Sequence, residues 1–296
     1  MLIRLFPALF AGLLAFQELP TTVPTLPPAD EKPVEWVCPM DRDVRMKGPG
    51  KCPRCGMALT PGIPDFLEFA TRIRTNPKKI RVGAPVAMTF ETINPSTHKR
   101  VTEFEIVHEK LFHLFLVSQD LKFFAHEHPV LDKSAEFHFE WKFPQPGMYR
   151  VLTDYYPKGA TPQLNTNTVF VSGGPPVAPA PVKLVADLSP QKSENVTASL
   201  TMDPPQAVAG FKTLMFFDLN PGDGLEPYLG AWGHMLAASE DLVDMIHNHP
   251  FLADGGPRVQ FNMIFPRPGV YRVWVQFQRK GVVNTVAFNV PVVELK

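Results

Sequence analysis

The sequence predicts a mainly β protein: a small ribbon-like module followed by two β-sandwich repeats. Three observations predict it. From Asp65 onward, runs such as "APVAMTFETINP", "KRVTEFEIVHEKLFHLFLVS" and "EFHFEWKFPQPGMYRVLTDYY" alternate apolar and polar residues between Pro, Asn and Gly. The second half repeats the first: "HLFLVSQDLKFFAHEHP" (His113 to Pro129) aligns without a gap to "HMLAASEDLVDMIHNHP" (His234 to Pro250), and "FPQPGMYRV" aligns to "FPRPGVYRV". The 33 prolines gather outside these runs, in stretches that read as linkers.

Taken in order, residues 1–17 read as a signal peptide or N-terminal anchor. Arg4 supplies a short basic region, and "LFPALFAGLLAF" is an apolar run too short to span a bilayer. The expectation is an exported protein, periplasmic or otherwise extracytoplasmic, with the membrane touched only through that anchor. Residues 18–33 form a proline-rich linker and 34–63 a cysteine module. Residues 64–172 form the first sandwich repeat, 173–182 a second linker marked by "GGPPVAPAP", and 183–296 the second repeat. Each repeat has the length of a β-sandwich domain, roughly 100 residues. In "FPxPGxYRV", Pro and Gly set a turn that feeds an extended Tyr-Arg-Val. With 29 basic and 29 acidic residues, the chain lacks the positive surplus of a nucleic-acid binder.

All three cysteines lie in "WVCPMDRDVRMKGPGKCPRCGMALTP". An odd number in an exported chain would leave one thiol outside a disulfide framework. One reading is a structural zinc ribbon, which needs four ligands. Here there are three cysteines and Asp41, a poor fourth ligand. Another is a Cys52–Cys55 disulfide with Cys38 idle. A third uses the thioethers: Met40 follows Cys38 by two residues and Met57 follows Cys55 by two. Thiolates and thioethers are soft donors that select Cu(I), and by the same chemistry Ag(I).

This window resembles the small heavy-metal-binding domain carried by copper and silver efflux adaptors and some copper-transporting ATPases. The resemblance covers about 26 of the 296 residues. By position it implies Cys38, Met40, Cys52, Cys55 and Met57 as ligands. It departs at Asp41, where relatives have histidine, and at Arg42, where they have proline.

Six of the nine histidines fall in the repeated block, at identical offsets: His113, His126, His128 and His234, His247, His249. The block reads as a hairpin. Residues two apart in a strand share a face, so His126 and His128 point the same way. An even-numbered turn centred near Gln119–Asp120 or Asp120–Leu121 brings His113 opposite one of them, on that face; an odd one removes it. Three converging imidazoles suit copper or zinc. Strand histidines also occur as core or surface residues without ligands, and His-x-His-Pro is also a way to end a strand. His108 is a candidate fourth ligand of the first site and Met235 a softer donor for the second. His138 is expected to face solvent, and Asp154 and Tyr155 have no role assigned.

The repeat also resembles Ig-like or cupredoxin-like β-sandwich domains of bacterial extracytoplasmic metal handling, with a Gly-His…Asp-Leu…His-x-His-Pro signature. The second copy matches it at Gly233-His234, Asp241-Leu242 and His247-Asn248-His249-Pro250, and the first has Phe112 in place of the glycine. No nucleophile motif, phosphate loop or HExxH occurs in the sequence, so an enzyme is not expected. The expected function is capture of copper, with silver or zinc as further ions, for sequestration, delivery or resistance. Expected partners are a metal efflux adaptor, a metal-transporting ATPase or an apo-cuproenzyme. Two alternatives stay open: a histidine-liganded copper or zinc enzyme, and a cell-surface scaffold with vestigial sites.

Overall fold

A computed structural model describes residues 35–37, 44–51, 53, 59–62, 67–158, 160, 162–174, 182–250 and 255–295. They form strands and turns with no helix among them. The chain divides into two compact units, at 1–65 and 66–296.

In the first unit, Glu35–Val37 is the centre of a three-stranded antiparallel sheet, flanked by Arg45–Met46 and Thr60–Gly62. Trp36 and Val44 pack on the buried Leu59. An ion pair from Arg45 to Glu35, 2.8 Å, closes the strand pair on its surface. The expected ligands Cys38, Met40, Asp41, Cys52, Cys55 and Met57, and the expected signal at 1–17, lie outside the described residues.

The second unit holds both repeats, built alike. In the first, a four-stranded sheet (130–131, 137–142, 85–92, 71–76) faces a larger one that runs 80–81, 163–172, 147–157, 112–118, 124–127. In the second, 197–203, 212–220 and 258–264 repeat the three long strands of the smaller sheet, with the short fourth strand, 191–192, on the opposite edge from 130–131, and 207–208, 282–293, 269–279, 234–239, 245–248 repeat the larger one. Alternation fills each interior with aromatic residues: Phe90, Phe112, Phe137 and Tyr149 in the first, Phe217, Phe261, Tyr271 and Phe288 in the second.

A third apolar cluster joins the repeats. Phe115, Val117, Leu121 and Leu152 from the first meet Leu236, Ala238, Leu242, Met245 and Trp274 from the second. Phe124 stacks on Trp274 with ring centroids 5.2 Å apart. The two larger sheets therefore pack through their outer faces. This explains why all seven residues of Phe112–Ser118 are buried. Leu114 and Leu116 enter the sandwich interior, while Phe115 and Val117 enter the joint between repeats.

The shared motifs are structural locks. Gly147 and Gly269 sit at φ 125° and 141°, where a side chain is strained. The Tyr149 hydroxyl donates to the Gln145 carbonyl at 2.9 Å, and Tyr271 to that of Arg267 at 3.1 Å. Gln145 and Arg267 then hold Asp120 and Asp241 in the hairpin turns. The Asp-Leu pair of the signature thus caps a turn, with Leu121 and Leu242 at positive φ and buried in the joint.

One expectation is corrected. The run "KRVTEFEIVHEKLFHLFLVS" is not one strand. Val107–Lys110 forms a two-residue hairpin turn closed by two backbone bonds, with His108 and Glu109 at φ 47° and 64°. Positive φ at both central residues is the geometry whose twist matches paired strands. No glycine or asparagine marks it, whereas the equivalent Tyr228–Ala231 turn carries Gly230.

Candidate metal centre

The hairpin register sets the histidines. Phe115 pairs with His126 and Leu114 with Glu127, so the turn centres on Asp120–Leu121 and His113 falls opposite His128. In the second repeat Leu236 pairs with His247, which sets His234 opposite His249. Both triads lie at the open end of their hairpins, on the face turned toward the other repeat.

Three ring nitrogens converge in each. His113 Nδ1 is 3.1 Å from His126 Nε2 and 3.3 Å from His128 Nε2. His249 Nε2 is 3.1 Å from His234 Nδ1, and a ring nitrogen of His247 completes a set within 4.8 Å. A tetrahedral ion with bonds of about 2.0–2.1 Å holds its ligand nitrogens about 3.3–3.4 Å apart. The observed separations are close to that edge.

Neighbouring acceptors fix the tautomers. His113 Nε2 donates to the Val107 carbonyl at 3.0 Å, and His234 Nε2 to the Tyr228 carbonyl at 2.8 Å. A carbonyl oxygen only accepts, so each Nδ1 is left as a bare lone pair. His126 Nδ1 donates to Gln276 Oε1 at 2.8 Å, while the Gln276 amide NH2 donates to Thr285 at 3.2 Å. His247 Nδ1 donates to Asp154 Oδ2 at 2.5 Å. The inward nitrogens of His113 and His126 thus face each other with no proton between them. His247 Nε2 is buried with no hydrogen-bond partner among the described residues. Such a pocket of lone pairs is one a cation stabilises.

Protons compete poorly there. Burial pushes His113 down to about 4, and His128 and His234 down to about 3. His126 and His249 are also driven well below the usual histidine range, first by burial and then by neighbouring histidines. Neutral imidazole is the liganding form.

Two residues enter the centre without having been assigned to it. Asp154 reaches His247, and Gln276 reaches His126, each from one repeat to the other. The offset of the "YRV" block puts Asp154 and Gln276 at equivalent positions, the one sequence signal for the pair. His108 does not serve its own repeat. Its ring lies tilted against that of His249, centroids 3.7 Å apart, and meets His234 edge-on at 5.7 Å. Met235 points the other way, fully buried in the sandwich interior, and offers the second triad no donor. His138 is exposed as expected. It joins Asp132 and Glu136 in a surface turn where Asp132 caps backbone N–H groups, which accounts for that cluster without an ion.

The family described as Heavy metal binding domain matches residues 35–61. A silver exporting P-type ATPase of Salmonella typhimurium is 62% identical over 44 residues, which cover 12% of this chain and 5% of that protein. The chain therefore spans a small fraction of the length of that relative. Among solved structures, the Escherichia coli adhesin FdeC is similar at 11% identity and a TM-score of 0.26, over 74% of this chain and 63% of that one. Carbohydrate-binding modules of the β-sandwich superfamily are similar at 10% identity and a TM-score of 0.23, over 79% and 95%. Those scores carry no functional argument. The heavy metal binding domain gives the chain a metal-binding role. One further family matches twice, at 70–171 and 182–294, and across most of its length the chain belongs to it: the family described as Domain of unknown function (DUF8832).

Proposed function

We propose that this is an exported copper- or silver-handling protein with two tiers of ligands. The cysteine–methionine module captures soft monovalent ions, and the histidine triads hold a borderline ion, Cu(II) or Zn(II). The supporting observation is the coincidence, in one chain, of a heavy metal binding domain and two converging histidine triads, in each of which two rings have the outer nitrogen held by an acceptor. Thiolate and thioether suit Cu(I) and Ag(I), while imidazole suits Cu(II) and Zn(II). An efflux adaptor, a metal-transporting ATPase or an apo-cuproenzyme fits as the recipient, since each takes a coordinated ion.

The test is metal titration of the purified protein under chelator competition. Cu(I), added anaerobically, is expected to bind tightly and to be lost in Cys52→Ser/Cys55→Ser. Cu(II) and Zn(II) are expected to weaken in His113→Ala/His126→Ala/His128→Ala. Failure of every ion to compete with a chelator overturns the proposal.

A further inference from the structure

Two observations tie the triads into a single unit. The first is distance. Across the joint, His126 and His234 have ring centroids 5.3 Å apart, and His113 and His247 5.8 Å. Within the second triad, His234 and His247 are 6.0 Å apart. The nearest rings across the joint are therefore closer than the most separated pair within the second triad. With metal–nitrogen bonds of about 2 Å, ions held in the two triads lie within ~12 Å of one another.

The second is the exchange of supporting groups. Each repeat orients a ligand of the other: Asp154 of the first holds His247 of the second, and Gln276 of the second holds His126 of the first. His108 of the first lies over the second triad. One ring of each triad, His126 and His247, has its tautomer set by the other repeat.

The exchange is unequal. A carboxylate on the outer nitrogen raises imidazole basicity and favours a bound cation, while an amide only orients the ring. Such supporting partners are typically worth 10–100-fold in metal affinity. We propose that the triads are two unequal halves of one dinuclear centre for borderline transition-metal ions, Cu(II) or Zn(II), at the joint between the repeats, and that the half built on His234, His247 and His249 fills first. Asp154 and Gln276 are positioning residues that set this order. The inference rests on reading the triads as metal sites.

The experiment uses the full-length protein with Cys38, Cys52 and Cys55 changed to serine, titrated with Cu(II) and followed by electron paramagnetic resonance. One equivalent is expected to give a mononuclear spectrum with nitrogen hyperfine structure. That spectrum survives His128→Ala and is altered or lost in His249→Ala. A second equivalent is expected to broaden and weaken the signal and to raise a half-field line, because the spins couple. Asp154→Asn is expected to weaken the first equivalent by 10–100-fold, and Gln276→Glu to tighten the second toward the first. A spectrum that simply doubles at two equivalents overturns the dinuclear centre and leaves two independent sites, with the proposed function intact. Saturation at one equivalent overturns it as well. Filling of the first-repeat half before the second overturns the assigned order. No nitrogen-ligated Cu(II) at all overturns this inference together with the histidine tier of the proposed function.

Discussion

What fits a histidine here to serve as a ligand is what stands behind it. Val107 and Tyr228 offer carbonyls, Gln276 an amide oxygen and Asp154 a carboxylate. Each takes the outer proton and leaves the inner nitrogen bare. The pH dependence follows. His113, held near 4, and His128 and His234, held near 3, stay neutral in the fold, while the unfolded chain protonates them near the ordinary value of 6.5. Between these limits the unfolded state binds more protons, so their contribution is complete above pH 6.5 and is lost as pH falls toward 4 and 3. The urea midpoint of the metal-free protein should therefore drop on acidification from pH 6.5. A flat midpoint across that range would contradict the burial of these rings. At the turn glycines the relevant quantity is backbone strain. A Cβ on Gly147 would meet no atom within 4 Å, so Gly147→Ala isolates the effect of φ 125°. It should cost about 1–3 kcal/mol, read by chemical denaturation.

Hairpin arithmetic governs the next scale. The turn centred on Asp120–Leu121 keeps His113 on the face of His126 and His128. One residue inserted after Gln119 moves a strand's whole side-chain set to the opposite face. Such an insertion should abolish Cu(II) or Zn(II) binding at the first triad while the second retains one equivalent, a result that stoichiometry by mass spectrometry would show. The hairpin and its shared histidine face were legible in the sequence for an even-numbered turn, because a hairpin is local and two copies state its spacing twice; which of two even centres it takes was not. Cross-repeat partners were not. Asp154 sits in a strand whose pattern says only that it leaves the sandwich interior; what it meets belongs to a segment 93 residues away. His108 was misplaced for a related reason, since a tight turn of His-Glu with positive φ carries none of the usual turn residues. The unbroken apolar run "FHLFLVS" did hold a hint: a strand without alternation is covered on both faces, and here the second cover is the other repeat.

At the scale of the whole second unit, the joint decides whether there is one centre or two. Trp274 lies in that joint, stacked on Phe124 and 3% exposed. Trp274→Ala should cost about 3–5 kcal/mol, as large-to-small changes of buried aromatics do. If the joint couples the repeats, the loss should also split a single urea transition into two and weaken the spin coupling of bound Cu(II). A variant that keeps one sharp transition and full coupling would show that the apolar joint is dispensable. The difference between Asp154 and Gln276 has a further consequence. Two identical chains meeting about a twofold axis must present the same residue at both crossing positions, so a symmetric dimer can only build matched sites. Placing both copies on one polypeptide removes that constraint. The fused arrangement is what permits one strong and one weak seat side by side, and hence a downhill direction for an ion that a pair of separate, identical subunits could not encode.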